Sequence, residues 1–527
     1  MTDPRETVVH GTSGSRSGPA GGGDLTDELV ATSTWTDEMV RAAGIPMVDV
    51  PFVTVGGGMG SLTMVDYLCI AGVATDDIAV LSAEDAPSRQ YASLCANSQI
   101  PPHERLRSDS GSTPDNIWGF PAYALREAWH ERTLRPLAHV LVEPVLRPYW
   151  TPRAGTMFAA VDREARRIGW WESLHTGQVR MVRRRWAGGY FTILTRSDES
   201  GRTTRVAFRS RYVHLAVGYP ALRFLPDLEK YRETYGDYTR VVNAYEPHEH
   251  IYEALRAKPG VVMVRGAGIV ASRILQRLIE DRDEAGAETT IRHLFRTYRT
   301  TPKSDRRFGW GKQRVADGWA HQGFNTTKAA WGGQHRHKLL RLDPERRAEF
   351  HEYLSGGAHT PVRRDWKEQL ARGKAEGFYR QHVGQVEEVV PGDDGQSVVT
   401  AVRDSEGHLT HIPADYVIDC TGLIGNAREH RVLADLLEHA GAELNRSGRL
   451  ACDERHEVTG TASPPGRLYA AGAASDGNFY SGSDSFLGLQ NVAQLICDDL
   501  AAEGFCHRIG PVRSTRQWFR WVRHRPP

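Results

Sequence analysis

Three glycine-bearing turns, each at the end of an apolar run, are the places where this sequence could grip a ligand and do chemistry. The first is Val55-Gly-Gly-Gly-Met-Gly-Ser61. Glycines at Gly56 and Gly58 let the chain turn tightly and bring bare backbone against a pyrophosphate, whose charge the N-terminus of the following helix favours. Ser61 stands where a third glycine is usual. The next apolar run, Ile78-Ala-Val-Leu-Ser-Ala-Glu84, ends in an acid placed to hydrogen-bond a ribose hydroxyl. Glu84 follows Gly56 by 28 residues rather than the common spacing of roughly 20, and the loop Gly72-Val-Ala-Thr-Asp-Asp77 accounts for the excess.

The second turn, Val264-Arg-Gly266-Ala-Gly268-Ile-Val-Ala271, repeats the pattern 210 residues after Gly56, with Ala271 at the third position and Arg265 unusually placed before the first glycine. Its following strand, Thr290-Ile-Arg-His-Leu-Phe295, runs into Arg296 and Arg299 where an acid would otherwise sit. The donor fork of arginine matches the oxygens of a 2′-phosphate, which favours NADP over NAD. The third turn lies near the C-terminus, where Arg467-Leu-Tyr-Ala-Ala-Gly472 precedes Asp476-Gly477 and a helix beginning around Ser485. An acid such as Asp476 can bind a ribityl chain, and a helix N-terminus can stabilise negative charge on a reduced isoalloxazine. This third match makes the first site a flavin site rather than a nicotinamide site.

These turns need elements to hold them. Val48-Asp-Val-Pro-Phe-Val-Thr-Val55 has the β-branched and aromatic residues of a buried strand. Gly189–Thr195 and Thr203–Ser210, either side of Asp198-Glu-Ser-Gly201, read as a hairpin or meander, and Ser397–Val402 with His408–Ile412 form an equivalent pair after the second glycine motif. The fold class expected is α/β, with two Rossmann-like, three-layer ββα dinucleotide-binding domains, the second inserted in the first, and small antiparallel meanders. The expected division is a disordered tail over 1–45, an FAD-binding domain over 46–225 that resumes over 413–505, an NAD(P)-binding domain over 226–412 and a basic extension over 506–527. Within the middle domain, residues 305–341, rich in aromatics, amides and histidines, form either a substrate-contacting or a packed insertion.

Bulk composition narrows the partners. Sixty-six Lys and Arg against 65 Asp and Glu give a net charge of +1 over 527 residues, so nothing calls for nucleic acid or an anionic membrane, and a small-molecule substrate is expected. No run approaches the roughly 18 apolar residues of a membrane span, and the first residues lack a secretory signal, so a cytoplasmic protein is expected. The six cysteines contain no C-x-x-C pair, which disfavours dithiol redox chemistry, and no metal-ligating constellation is written here. Oligomeric state is left open.

The order of motifs resembles the two-dinucleotide-binding-domain flavoproteins, and within them the flavin-containing monooxygenases and N-hydroxylases. Tyr212-Val-His-Leu-Ala-Val-Gly218-Tyr-Pro220 and Tyr416-Val-Ile-Asp-Cys-Thr-Gly422 stand where that group has its linker motifs, and Phe120-Pro121 where it has a similar dipeptide. The segment Tyr91-Ala-Ser-Leu-Cys-Ala-Asn97-Ser-Gln99 resembles the stretch that places an asparagine near the reactive flavin face, which implies Asn97 and Gln99 as catalytic flavin-side residues. The Baeyer–Villiger fingerprint is absent: the equivalent region reads Arg240-Val-Val-Asn-Ala-Tyr245. The resemblance implies FAD and NADP as cofactors and an NADPH-dependent monooxygenase acting through a C4a-peroxyflavin. Two alternatives remain. One is a flavin oxidase or dehydrogenase reduced by its own substrate, with a structural second site; the other is a flavin redox sensor without catalytic turnover.

Overall fold

The computed structural model describes residues 23–298 and 333–527, apart from 107, 115–118, 144–149, 198–201, 220 and 356–363. Arg299, the first 22 residues and most of the 305–341 segment therefore lie outside the described residues.

Five parallel strands form the first sheet, in the order Arg467–Ala470, Tyr212–Leu215, Phe52–Val55, Ile78–Ser82, Leu174–Thr176. Phe52–Val55 and Ile78–Ser82 are buried at every position, as strands covered on both faces must be. Their alternate side chains go to different layers. Val53, Val55, Leu81 and Val213 meet Val182, Leu194 and Phe208 of a mostly antiparallel meander, whereas Phe52, Ile78, Val80 and Tyr212 meet the helices Met59–Ile70 and Phe486–Ala502 through Leu62, Val65, Val492 and Ile496. The two-residue side-chain period of the strands thus builds a meander–sheet–helix sandwich.

The second sheet repeats this plan in the order Val241–Asn243, Tyr416–Asp419, Gly260–Arg265, Thr289–Phe295, Tyr379–Val383, again all parallel. Val242, Val262, Val264 and Ile291 face the helices Glu249–Ala257 and Ile269–Ala285. Val241, Met263, Leu294 and Val417 face the meander Gln385–Pro391, Val398–Arg403, Leu409–Ala414. Both anticipated hairpins form; in the first, Tyr190–Ser197 pairs with Thr203–Ser210 in a register running from Tyr190↔Ser210 to Ser197↔Thr203. The chain leaves the first sheet after Leu215 and rejoins it at Arg467, so the second unit is inserted in the first. At the crossing, Ala221–Leu222 and Leu423–Ile424 pair as a two-stranded antiparallel ribbon.

Two expected boundaries need correction. The tail was expected to run to residue 45, yet Asp27–Ala31 and Asp37–Ala42 are helices, capped by the side chains of Thr26 and Thr36. The strand between them, Thr34–Trp35, adds to the meander beside Arg184 and Arg185. Trp35 is fully buried with Leu29, Val40, Phe191 and Ile193, and its indole N–H donates to the Leu29 carbonyl at 2.9 Å. The burial of these apolar residues offsets the cost of ordering this segment. The return to the first unit was expected at 413, but Tyr416–Asp419 lies inside the second sheet, between Val241–Asn243 and Gly260–Arg265. Among the described residues no helix is long and apolar enough to cross a membrane.

Candidate functional site

The first glycine turn is shaped by what each position must avoid. Gly56 has φ +98°, and a Cβ there would lie 2.4 Å from the Ala216 carbonyl oxygen, so only glycine fits. Gly57, which sequence reasoning passed over, leaves no room either: its Cβ would lie 2.2 Å from Ser82 Oγ. Gly58 differs. It is the N-cap of the helix Met59–Ile70 and its Cβ would meet nothing within 4 Å. The bare edge of the turn therefore faces open space, at a helix N-terminus that favours an anion. Ser61 is fully buried one turn into that helix, and its Oγ has no hydrogen-bond partner. Its small size is what the close packing of helix on sheet needs.

Two cavities meet at this turn, sharing Gly58 and Gln90. The smaller, about 330 Å³, runs from Gly56 past Glu84 to Arg180 and Arg431. Glu84 makes no ion pair with a described residue, and its backbone N–H donates to Ser82 Oγ at 2.9 Å, which sets the turn after the strand. Burial and the charges of Arg431 and Arg205 hold the Arg180 pKa below its ordinary value. An anion placed beside the glycine turn here would relieve that repulsion. Neither Arg180 nor Arg431 was visible as a site residue, because one comes from the meander and the other from a helix over two hundred residues away.

The larger cavity, about 480 Å³, lies between Gly58, Gly60, Tyr219, Gly472, Asp484 and Phe486. Leu94, Leu222, Leu423 and Leu489 give it apolar walls, and the helix Phe486–Ala502, capped by Ser485 through the Gly488 N–H at 3.0 Å, points its N-terminus at it. Gly472 lines this cavity as the third motif anticipated. Asp476 is not among its lining residues. Its carboxylate accepts the Gly482 N–H at 3.1 Å, and its carbonyl accepts from Asn445 at 2.9 Å, so it shapes the loop instead. Burial and the neighbouring Asp484 push the Asp476 carboxyl up to about 6. Asp484 is the acid that reaches the cavity, where it accepts a hydrogen bond from the Tyr219 hydroxyl. Its position directly before the Ser485 cap was the available signal.

The second turn has the same backbone logic. Gly266 has φ +122° and its Cβ would lie 2.9 Å from the Cys420 carbonyl oxygen, Gly268 is the N-cap of Ile269–Ala285, and Ala271 is fully buried on that helix. Arg265, the odd residue before the first glycine, turns aside to pair with Asp227. Below the turn, the His293 ring lies 2.6 Å from the Gly266 carbonyl through Nε2 and 2.8 Å from the Tyr379 hydroxyl through Nδ1. Donation to the carbonyl fixes the neutral tautomer, and burial holds its pKa down at about 4. Arg296 is exposed just past the strand Thr289–Phe295.

Asn97 and Gln99 lie elsewhere than the cavity. Asn97 Nδ2 donates to the Tyr245 carbonyl at 2.7 Å. Gln99, at φ +58°, donates to the Asn97 carbonyl at 3.3 Å, while its own carbonyl accepts from Arg273 at 2.9 Å. Arg273 also pairs with Glu104 at 2.7 Å. These contacts tie the first unit to the second. From the helix Arg89–Asn97 it is Gln90, Tyr91 and Leu94 that line the cavity. No group of three or more metal-ligating side chains occurs among the described residues.

Comparison with solved structures places this architecture. An ornithine hydroxylase from Pseudomonas aeruginosa aligns with a TM-score of 0.62 at 17% identity, over 86% of this chain and 99% of that one. An ornithine N-hydroxylase from Kutzneria sp. 744, solved with reduced FAD, NADP+ and L-ornithine, aligns with a TM-score of 0.62 at 14% identity, over 87% and 100% of the two chains. A cadaverine monooxygenase of desferrioxamine biosynthesis from Erwinia amylovora, bound to FAD, gives 0.61 at 13% identity, over 87% and 96%. The fold is therefore that of a two-Rossmann-domain flavoprotein. No protein-family model matches the sequence, and no curated protein does.

Proposed function

We propose that this chain is an FAD-dependent oxidoreductase, an NADPH-dependent monooxygenase that oxygenates a small molecule. The observation that carries the reading is the path from Glu84, past the bare edge of Gly58, to Gly472 and the N-terminus of Phe486–Ala502, polar at the Glu84 end and apolar at the other, as a flavin dinucleotide requires. When bound, FAD supplies hydride acceptance and oxygen activation. The residues of the chain hold and shield it. Backbone N–H groups at Gly58 and the helix behind it take the pyrophosphate, Glu84 the adenosine ribose, and Arg180 and Arg431 balance the negative charge. The leucines of the larger cavity keep water from the ring-bearing end, while Gly266, Gly268, Ala271, Arg296 and Arg299 serve NADPH.

The substrate class we favour is an alkyl amine. Asp484 presents a carboxylate in the larger cavity, which complements an ammonium, and ornithine and cadaverine are the amines named for three similar structures. The test is the visible spectrum of the purified protein, followed anaerobically by NADPH or NADH and then by air with a panel of diamines and basic amino acids. Expected are a yellow protein, bleaching by NADPH in preference to NADH, and a hydroxylamine product from one amine. A colourless protein, or a flavin that neither nicotinamide bleaches, overturns the reading.

A further inference from the structure

The last 24 residues, 504–527, contain six arginines and no acid, whereas the rest of the chain carries 60 Lys and Arg against 65 Asp and Glu. They fold into the helix Pro511–Val522, which is seated on the first unit by its buried Gln517 and by Arg513 donating to the Ile70 carbonyl at 3.0 Å. The helix faces the solvent with Val512, Thr515, Phe519 and Val522, spaced three, four and three residues apart, so they form one stripe. Val512 is 85% exposed, Val522 51% and Phe519 48%. Arg516, Arg520, Arg523 and Arg525 flank the stripe around a concavity of about 1100 Å³. None of these four makes an ion pair with a described residue: Arg520 donates to the Pro526 carbonyl at 3.2 Å, and Arg523 rests over the Phe519 ring. The Trp521 ring meets Phe120, which is itself 37% exposed, so the apolar surface continues onto the neighbouring loop.

We propose that this face docks peripherally on an anionic lipid surface, with Val512, Phe519 and Val522 entering the headgroup boundary and the arginines meeting lipid phosphates. Aromatic and aliphatic residues on one arc with arginines beside them is the arrangement of helices that lie in a membrane interface. The charge pattern selects the occupant. A second copy seated symmetrically on this stripe would set arginines against arginines with no acid to pair them, whereas an anionic bilayer complements every one. This attachment leaves the proposed catalytic path untouched, since no residue of it lines either of the two cavities at Gly58.

The experiment is co-sedimentation of the full-length protein with phosphatidylcholine vesicles and with vesicles carrying phosphatidylglycerol, alongside its mass in solution. Binding to the anionic vesicles alone, and its release as salt screens the charges, is expected. Arg516→Ala with Arg523→Ala should weaken it by about thirtyfold, at about 1 kcal/mol per basic residue, and Phe519→Ser by on the order of tenfold, both with unchanged flavin content. Protein that stays in the supernatant, or that pellets equally with neutral vesicles, overturns the proposal. So does a concentration-dependent dimer that Phe519→Ser dissolves while vesicle binding is absent.

Discussion

Gly56 and Gly58 stand two residues apart in one turn, yet their substitution should fail in different ways. At Gly56 the backbone sits at φ +98° and a methyl group would lie 2.4 Å from the Ala216 carbonyl oxygen. Gly56→Ala therefore strains the fold itself, by about 1–3 kcal/mol for the dihedral alone, before the steric overlap is relieved. At Gly58 the backbone is extended, with φ −84° and ψ −162°, and nothing stands within 4 Å of the added carbon. Gly58→Val costs the fold about 1 kcal/mol as a poorer helix cap, but its branches occupy the space through which a pyrophosphate must approach. Loss of a single charge-assisted hydrogen bond there, about 1.5–3 kcal/mol, weakens binding by about ten- to a hundredfold. The assay measures flavin absorbance per protein on purification, and the melting temperature of each protein after the flavin has been stripped, so that ligand stabilisation does not enter. Gly58→Val should melt within a few degrees of the parent and be colourless; Gly56→Ala should melt several degrees lower. A Gly58→Val protein as yellow as the parent would refute the placement of the pyrophosphate, and a Gly56→Ala protein melting with the parent would refute the steric argument.

Trp35→Ala should destabilise the first unit by about 3–5 kcal/mol in a denaturant melt, because a fully buried indole and its bond to the Leu29 carbonyl are lost; a change under about 1 kcal/mol would return this segment to a dispensable tail. His293 is buried neutral with its pKa held down at about 4, so the unfolded chain takes up the proton first. Its contribution is complete above about pH 6.5 and is lost as pH falls towards 4, which amounts to about 3 kcal/mol over that window. His293→Gln should flatten that part of the stability–pH curve, with the buried His214 and His456 leaving a residual slope of the same sign, and an unchanged slope would count against it. Arg296→Ser should raise KM for NADPH about ten- to a hundredfold relative to NADH, the worth of a charge-assisted bond to the 2′-phosphate, and an unaltered ratio would remove Arg296 from that role.

How much of this was legible depended on whether the constraint was local. Gly56 and Gly266 read cleanly because a positive φ against a neighbouring carbonyl leaves one residue type, and a single sequence carries that fact. The two hairpins read for a similar reason, since alternation and turn residues lie within a few positions of one another. Thr26-Asp-Glu-Leu and Thr36-Asp-Glu-Met also carry a local signal, a capping threonine followed by acids in the first helical turn. The glycine-rich stretch before them outweighed it. The sheet to which Tyr416–Asp419 belongs could not be read in this way: parallel partners are supplied by segments over 150 residues upstream, and nothing in the strand's own sequence names them. Arg180 and Arg431 escaped for the same reason, each being brought to the path by a different element, whereas Asp484 carried a local signal in its place directly before the Ser485 cap.

The placement of Asn97 and Gln99 then bears on how the site is assembled. The larger cavity takes its walls from the first unit at Gly58 and Leu94, from the crossing ribbon at Leu222 and Leu423, and from the returning chain at Gly472 and Phe486. The ribbon wall is where the chain crosses between the two units. Asn97 bonded to the Tyr245 carbonyl, and Arg273 bridging Gln99 and Glu104, tie the units together at the far end of the same helix whose near end, Gln90, Tyr91 and Leu94, lines the cavity. Asp419 does so at the ribbon: it accepts the Leu225 N–H at 2.8 Å where the chain enters the second unit and the Thr421 N–H at 2.9 Å where it leaves. A polar residue remote from the reacting atoms can therefore govern the cavity by holding the junction. A loss of activity on replacing Asn97 thus places it near the flavin only if the junction is shown to be intact.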